Sequence, residues 1–234
     1  SPSRTLRPGS LAESAEIAPV SLALSAWLIS APCSGLGMLG AVTLSAALPD
    51  LGVGVGATLG AGAGAAGLAI ASRCSQARVT LIERDPLMIE HANKTLKHES
   101  NQSLASRISL IESDVTLTGK RRVAAGLADN AFDFAIFNPP FNLSHDRQTP
   151  DPVKAAAHVM DDGLFENWLR TVAAIVRPGG GMALIARPQS IAEILAALKG
   201  RFGGLRIVPI HPREGEAAIR IVVTATHGSR AAMR

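Results

Sequence analysis

The stretch "LGAGAGAAG", residues 59–67, decides the predicted fold. It contains two overlapping glycine patterns, because Gly60, Gly62 and Gly64 form G-x-G-x-G while Gly62, Gly64 and Gly67 form G-x-G-x-x-G. An apolar strand pattern, "GVGVGATLG", leads into it, and an alanine-rich helix pattern, "AAGLAIASRC", follows it. A strand, glycine turn and helix of this kind bring backbone N–H groups close to a ligand at the helix N-terminus.

Two acids end the strands that follow the glycine turn. The strand "ARVTLIE" ends on Glu83, about 20 residues after Gly62, where a carboxylate can hydrogen-bond both hydroxyls of a ribose. The strand "RISLIESD" ends on Asp114, which could accept a hydrogen bond from an adenine amino group or cap a helix. The glycines and Glu83 together predict a cofactor that contains adenosine, either NAD or S-adenosylmethionine.

Helix and strand patterns alternate along the rest of the chain. Later strands are predicted at "FDFAIF", "GMALIA", "LRIVPI" and "IRIVVTA". The alternation predicts an α/β fold with a doubly wound, seven-stranded and mainly parallel sheet. The last two strands are separated only by "HPREGEAA", which is too short for a helical crossover, so the last strand should be antiparallel. We predict that residues 37–234 form this domain and that residues 1–36 are a poorly specified N-terminal segment.

Composition limits the possible partners. The chain has 234 residues with 23 Lys and Arg against 19 Asp and Glu, and this mild excess permits a polyanion such as RNA. Cys33 and Cys74 form no metal-binding spacing, so no metal is predicted. The apolar stretch between Pro19 and Pro32 is too short to cross a bilayer of ~30 Å. We therefore expect a cytoplasmic protein with no membrane partner.

The fourth predicted strand ends in an unusual corner, "NPPF". Strand ends of this type face the ligand crevice of an open α/β sheet. Pro139 and Pro140 stiffen the turn and supply no N–H group. The side-chain oxygen of Asn138 and the carbonyl of Pro139 can then accept both hydrogens of a substrate –NH₂ group. Phe141 offers a ring on which a planar base can stack.

Such a corner favours one of the two cofactors. Holding an amine by both hydrogens directs the nitrogen lone pair outward, toward a methylsulfonium placed in line with it. The nitrogen then acts as a nucleophile without a strong base, and most of the rate gain comes from positioning and desolvation. A hydride-transfer enzyme has no use for this corner, so S-adenosylmethionine is favoured over NAD.

The stretch from Gly37 to Arg230 resembles the class I S-adenosylmethionine-dependent methyltransferases with an N-P-P-[FY] motif. Within them it is similar to the small-domain branch that includes the bacterial tRNA(Val) adenine-N6 methyltransferases. The matching stretches are "LGAGAGAAG", "VTLIERD", "SDV", "FAIFNPPFN" and the tail "HPREGEAAIRIVVTATHGSR". The resemblance implies a Rossmann-like methyltransferase fold.

The resemblance also implies roles for individual residues, with Glu83 on the cofactor ribose and Asp114 on its adenine. The predicted residues for S-adenosyl-L-methionine are Gly60, Gly62, Gly64, Glu83, Asp114 and Asn138. The predicted catalytic residues, which hold the target amine, are Asn138, Pro139, Pro140 and Phe141.

The implied activity is methylation of an exocyclic amino nitrogen, in the first place adenine N6 in a tRNA. The motif does not fix the substrate, so guanine N2 in ribosomal RNA and glutamine N5 in a protein stay open. Two positions depart from the family pattern, because Thr58 and Gly40 stand where the family usually carries acids. These departures leave open an RNA-binding module that keeps the fold with weakened catalysis. An NAD-dependent oxidoreductase is a further alternative.

Basic residues in three places could contact an RNA substrate. His145, Arg147 and Lys154 lie in the polar stretch after the "NPPF" corner, which should border the target pocket. The other two places are the cluster at residues 120–122 and the tail arginines Arg230 and Arg234. Solvated surface charge is the alternative interpretation of each group.

Overall fold

The computed structural model describes residues 54–139 and 163–233, with the backbone of two short strands between these ranges. The predicted segment 1–36 and the start of the predicted domain lie outside the described residues. The strands are β1 (Val55–Leu59), β2 (Arg78–Glu83), β3 (Ile108–Glu112), β4 (Phe132–Phe137), β5 (Asn142–Leu143), β6 (Val159–Met160), β7 (Val176–Ala186), β8 (Phe202–Ile210) and β9 (Arg220–His227). The helices are α1 (Ala65–Arg73), α2 (Pro86–Lys97), α3 (Gln102–Ala105), α4 (Gly119–Ala124), α5 (Leu164–Ile175) and α6 (Ile191–Leu198).

Seven strands form one sheet in the order β3-β2-β1-β4-β7-β9-β8. The pairs from β3 to β7 are parallel, whereas β9 runs antiparallel to both β7 and β8. The doubly wound sheet with a reversed last strand is therefore confirmed. From β1 the chain adds β2 and β3 on one side of the sheet and then β4 and β7 on the other, so the order of strand addition reverses between β1 and β4. In parallel sheets, ligands bind beyond the carboxyl ends of the strands at such a point.

Apolar side chains cover both faces of the sheet. One face packs against α5 and α6, and Trp168 of α5 is buried there at 7% exposure. The other face packs against α1, where Ile70 lies in one cluster with Val79, Leu81 and Ile136. Burial on both faces is typical of parallel sheets and explains the continuous apolar strands in the sequence.

Helix α2 begins at a cap that Asp85 forms. The Asp85 carboxylate accepts a hydrogen bond of 2.8 Å from the Leu87 N–H, and Pro86 occupies the first helical position. This cap satisfies an N–H group that the helix itself leaves free. It also fixes the direction in which the chain leaves the end of β2.

Two elements differ from the predicted ones. Strand β7 starts at Val176 rather than at Gly181, because the "RPGG" stretch continues as strand with a register shift against β4. The polar stretch after the "NPPF" corner, in which the sequence predicts no strand, contains β5 at its start and is followed by β6, and the two pair as a short parallel ladder. No helix of the described part is both long and apolar enough to cross a membrane.

Arg107 binds the end of α1 and the turn that follows it. Its guanidinium donates to the carbonyls of Ala71 at 2.6 Å, Cys74 at 3.0 Å and Ala77 at 2.9 Å. Carbonyls at a helix C-terminus lack partners within the helix, and a cation beside them also complements the helix dipole. One side chain from the start of β3 therefore holds the connection between α1 and β2 in place.

We expect Arg107→Ala to lower the free energy of unfolding by about 2–3 kcal/mol, because it leaves three carbonyls without their charged donor. Urea unfolding followed by circular dichroism measures this change. Arg78→Ala, which removes an exposed arginine at the start of β2, is the control and should change stability by less than about 0.5 kcal/mol. Equal unfolding midpoints for the two variants would show that Arg107 does not stabilise this connection.

Candidate functional site

The carboxyl ends of three neighbouring strands meet at one edge of the sheet. Leu59 of β1 pairs with Ile82 of β2 on one side and with Phe137 of β4 on the other. The next residue of each strand is therefore Gly60, Glu83 or Asn138, at the same level of the edge. The fold thus brings together the glycine turn, the acid after it and the start of the "NPPF" corner, as the sequence predicted.

The glycine turn is fixed by backbone hydrogen bonds and by positive φ angles. The Ala61 N–H donates to the Ile82 carbonyl at 3.0 Å, and the φ values of Gly60, Gly62 and Gly64 are 61°, 53° and 92°. L-residues with a side chain rarely adopt these angles. Glycine is therefore required by the backbone at all three positions, before any ligand is considered.

The glycines of the motif differ in what a Cβ atom at each position would meet. A Cβ atom on Gly60 would lie 2.6 Å from the ring of Trp168, and one on Gly67 would lie 2.2 Å from the Leu81 side chain. These two glycines allow close packing inside the protein. A Cβ atom on Gly62 would meet no atom of the described residues within 4 Å. Gly62 is therefore the motif glycine whose missing side chain opens space for a ligand.

Glu83 fixes the turn as well as facing the crevice. Its side chain is 8% exposed, and one carboxylate oxygen, Oε2, accepts from the Gly62 N–H at 2.8 Å. The other oxygen, Oε1, accepts from the N–H groups of Arg84 at 2.8 Å and Asp85 at 3.0 Å. Since each carboxylate oxygen has two acceptor positions, Oε2 keeps one for a ligand hydroxyl. The sequence predicted the ligand role of Glu83 but not this structural one.

Asp114 lies beside Glu83, since the Ser113 N–H donates to the Glu83 carbonyl at 2.9 Å. Its Oδ1 atom accepts from the N–H and hydroxyl of Thr116, both at 2.7 Å, and its Oδ2 atom accepts from Arg84 at 3.2 Å. Partial burial raises the pKa of the Asp114 carboxyl, but the bonds from Thr116 and Arg84 outweigh burial and leave the pKa below its ordinary value. The carboxylate is thus ionised at neutral pH, with one acceptor position of Oδ2 left.

Only the first half of the "NPPF" corner lies in the described residues. The Asn138 side chain is half-buried, and its Oδ1 atom is buried without a hydrogen-bond partner. Pro139 is buried. The predicted catalytic residues Pro140 and Phe141 lie outside the described residues.

Three buried polar side-chain atoms of the described part have no hydrogen-bond partner, and all three lie near the same edge. They are Oγ1 of Thr58 in β1, Oγ of Ser113 after β3 and Oδ1 of Asn138 after β4. A buried group without a partner costs about 1–3 kcal/mol, so a cluster of them indicates a ligand site. Sequence reasoning had overlooked Ser113, although its place directly before Asp114 was a usable signal. Thr58 is the residue that replaces a family acid, whereas Gly40 lies outside the described residues.

One predicted RNA contact is wrong. Arg122 is buried, and its guanidinium donates to the Leu127 carbonyl and to the Asp129 carboxylate. A guanidinium held inside the protein cannot reach an RNA phosphate. The other predicted cations of this group, Lys120 and Arg121, are exposed, as is Arg230. His145, Arg147, Lys154 and Arg234 lie outside the described residues. In the described part no three His, Cys, Asp or Glu side chains come close enough to hold a metal ion.

Comparisons with known proteins agree with this geometry. The family described as "Methyltransferase small domain" matches residues 39–211. A predicted O-methyltransferase from Agrobacterium tumefaciens is 46% identical, with a TM-score of 0.72 over 83% of this chain and 84% of that one. No curated protein matches the chain.

Two more distant structures are similar in fold alone. TrmN from Thermus thermophilus is 18% identical, with a TM-score of 0.53 over 87% of this chain and 52% of that one. The fibrillarin pre-rRNA processing protein of Methanococcus jannaschii is 15% identical, with a TM-score of 0.55 over 78% of this chain and 70% of that one.

Proposed function

Because the chain belongs to the methyltransferase small domain family, we propose that it methylates an exocyclic amino nitrogen, in the first place adenine N6 in a tRNA. The observation that carries the proposal is the Oδ1 atom of Asn138, which is buried without a partner one strand away from the glycine turn. A buried acceptor of this kind is satisfied by a ligand that brings N–H groups. An amino group brings two.

S-adenosylmethionine is the methyl donor of this family, and it supplies a methyl group on a positively charged sulfur. The residues present fit it, since Gly62 leaves open space and Glu83 keeps one acceptor position for a ribose hydroxyl. Asp114 would face the adenine with its remaining acceptor position. Thr58 would supply a neutral hydroxyl where the family acid is missing, and this hydroxyl is buried without a partner. All four of these residues lie at the carboxyl edge of the sheet, where one cofactor molecule could contact them together.

Transfer to a hydroxyl oxygen is the second candidate, because the Agrobacterium relative is named a predicted O-methyltransferase. A hydroxyl carries a single hydrogen, which it loses on methylation, and the reaction therefore calls for a general base. Asn138 and Pro139 do not titrate and supply no base, but an amine can attack the methyl group through its lone pair as the sulfur–methyl bond breaks and then release its proton to water. The corner thus supports nitrogen rather than oxygen as the acceptor.

The choice of a tRNA rests on the family resemblance of "FAIFNPPFN" and of the tail, together with the basic composition. Guanine N2 of ribosomal RNA and glutamine N5 of a protein would present the same –NH₂ group to Asn138. A catalytically weakened RNA-binding module is the alternative of another class, and Thr58 is the residue that favours it.

Unmodified tRNA transcripts should accept methyl groups from labelled S-adenosylmethionine when the purified protein is added. Nucleoside mass spectrometry should identify the product as N6-methyladenosine, because Asn138 presents an amino nitrogen. Ribosomal RNA and total protein are assayed in parallel as competing acceptors. Label in glutamine or in guanine would show that the acceptor is not adenine, but it would still be methylation of an amino nitrogen. Label on an oxygen would contradict the proposed amino-nitrogen methylation. Absence of transfer together with no calorimetric heat on titration with S-adenosylhomocysteine would favour the non-catalytic module.

A further inference from the structure

We propose that Thr171 of α5 is a positioning residue for the cofactor site, where its hydroxyl orients the Asp114 carboxylate. It acts through the peptide group between Val115 and Thr116. The proposal rests on the proposed contact between Asp114 and the cofactor adenine. Thr171 is not among the residues that the sequence assigned to the site, because it lies on a helix far along the chain from Asp114.

The hydroxyl of Thr171 connects α5 to the segment that follows β3. Its Oγ1 atom donates to the Val115 carbonyl at 2.6 Å, and the two residues are buried, with exposures of 1% and 6%. A threonine inside a helix can instead donate to a carbonyl of the preceding helical turn. Because a hydroxyl has a single hydrogen to donate, the hydrogen of Thr171 is used for this distant segment rather than for its own helix.

The Val115 carbonyl belongs to the same peptide group as the N–H of Thr116. This N–H donates to Oδ1 of Asp114 at 2.7 Å. A peptide group is planar, and in its trans form the C=O and N–H bonds point in opposite directions. A donor on the carbonyl therefore also fixes the direction in which the N–H points toward the carboxylate.

The other bonds of Asp114 come from its own turn, residues 114–117, and from the surface. The Thr116 hydroxyl donates to Oδ1 at 2.7 Å, and Arg84 donates to Oδ2 at 3.2 Å. The Leu117 N–H donates to the Asp114 carbonyl at 3.2 Å. Arg84 is exposed, and exposed ion pairs hold a side chain weakly. The bond from Thr171 is buried, so it holds the turn from the side of the protein core.

Helix α5 also packs against two other strand ends of the site. Trp168 lies three residues before Thr171, and its ring centroid is 6.0 Å from that of Phe137. A Cβ atom on Gly60 would lie 2.6 Å from the same tryptophan ring. Residues three apart are neighbours on the surface of a helix. One side of α5 therefore supports the glycine turn, the end of β4 and the turn that carries Asp114.

The orientation of Asp114 matters because hydrogen bonds are directional. The acceptor position left on its Oδ2 atom can meet an adenine amino group only within a limited range of angles. Without the Thr171 bond, the peptide group after Val115 can turn and the carboxylate can rotate with it. The cofactor must then restrict more orientations when it binds, which weakens binding and leaves the transfer step unchanged.

Thr171→Val tests this role, because it replaces the hydroxyl by a methyl group of similar size. Calorimetric titration should show S-adenosylhomocysteine bound about fivefold to tenfold more weakly. Thr171→Ser keeps the hydroxyl and should restore the affinity to within about twofold of wild type. Thr171→Ala removes the same hydroxyl and is the second variant if the new methyl group of valine disturbs folding, which thermal unfolding monitors.

Thr80→Val is the matched control, since it makes the same exchange at another buried threonine. The Thr80 hydroxyl forms a hydrogen bond of 3.0 Å with the hydroxyl of Ser109, which joins β2 to β3 away from the carboxyl edge. This variant should bind S-adenosylhomocysteine as the wild type does. Equal losses of affinity in Thr80→Val and Thr171→Val would show a general effect of destabilisation and overturn the positioning role.

A double-mutant cycle with Asp114→Ala tests whether Thr171 acts through Asp114. In the Asp114→Ala background, Thr171→Val should cause no further loss of affinity, because the carboxylate that it orients is gone. A further loss by the same factor would overturn the positioning role. In the enzyme assay, Thr171→Val should raise the KM for S-adenosylmethionine by the factor found in calorimetry and keep kcat within about twofold.

These measurements separate the positioning role from the proposed function. Affinity that depends on Thr171 in a protein that methylates no amine would overturn the proposed function and leave the positioning role standing. Amine methylation together with unchanged S-adenosylhomocysteine affinity in Thr171→Val would overturn the positioning role alone.

Discussion

Asn138→Ala is expected to slow methyl transfer about thousandfold, an effect of the size seen when one preorganised polar contact to a reacting group is removed. The alanine has no oxygen to accept a hydrogen from the target amine. The amine would then keep its hydration or rotate, and its lone pair would no longer point at the methyl group. Because the loss concerns orientation in the transition state, kcat should fall far more than substrate affinity.

The measurement is the single-turnover rate with labelled S-adenosylmethionine and the preferred acceptor. Asn93→Ala is the control, since it removes an exposed carboxamide on α2 that donates to the Ile89 carbonyl of its own helix at 3.1 Å. Calorimetry should find S-adenosylhomocysteine affinity within about threefold of wild type in both proteins, a difference below 1 kcal/mol. If Asn138→Ala transferred methyl groups at the wild-type rate, orientation of the target amine by the Asn138 side chain would be ruled out.

Gly62→Ala is expected to weaken cofactor binding about a hundredfold while the protein stays folded. A Cβ atom there meets no atom of the described residues within 4 Å, so it enters the space that a ligand needs for close approach to the backbone. The substitution also places alanine at a φ of 53°, which costs about 1–2 kcal/mol of stability. Calorimetric titration with S-adenosylhomocysteine measures the affinity, and urea unfolding measures the stability.

Gly200→Ala separates the loss of stability from the loss of binding. Gly200 also has a positive φ, 79°, and a Cβ atom on it would likewise meet nothing within 4 Å. It lies between α6 and β8, at the amino edge of the sheet. Both variants should lose similar stability, and only Gly62→Ala should lose cofactor affinity. Wild-type affinity in Gly62→Ala would mean that the cofactor does not approach this part of the turn.

Local sequence patterns predicted much of the fold because each of them concerns neighbours along the chain. The short "HPREGEAA" connection required an antiparallel last strand, and β9 confirms it. Asp85 and Pro86 mark the start of α2 in an equally local way, because a cap acts within a few residues. The glycine turn and Glu83 also came from spacing along the chain, and the sheet register brings them together.

Contacts between distant segments could not be predicted from these patterns. Arg107 binds carbonyls 30 or more residues earlier in the chain, which depends on how α1 packs beside β3. Arg122 was assigned to the surface because it follows Lys120 and Arg121, but its side chain turns inward to Leu127. The burial of the Ser113 hydroxyl without a hydrogen-bond partner likewise depends on packing between segments, although its place directly before Asp114 was a usable signal.

The short ladder between β5 and β6 bears on how the sequence of this protein can vary in evolution. It pairs Asn142–Leu143 with Val159–Met160, so the two described ends that flank residues 144–158 lie next to each other. Lengthening a connection whose ends are already held together has a small entropic cost, about 0.6 kcal/mol for each doubling. Mutation and insertion can therefore remodel this stretch while the central sheet keeps its register. Related proteins could in this way come to use different acceptor molecules while the sheet and the residues at its carboxyl edge stay the same.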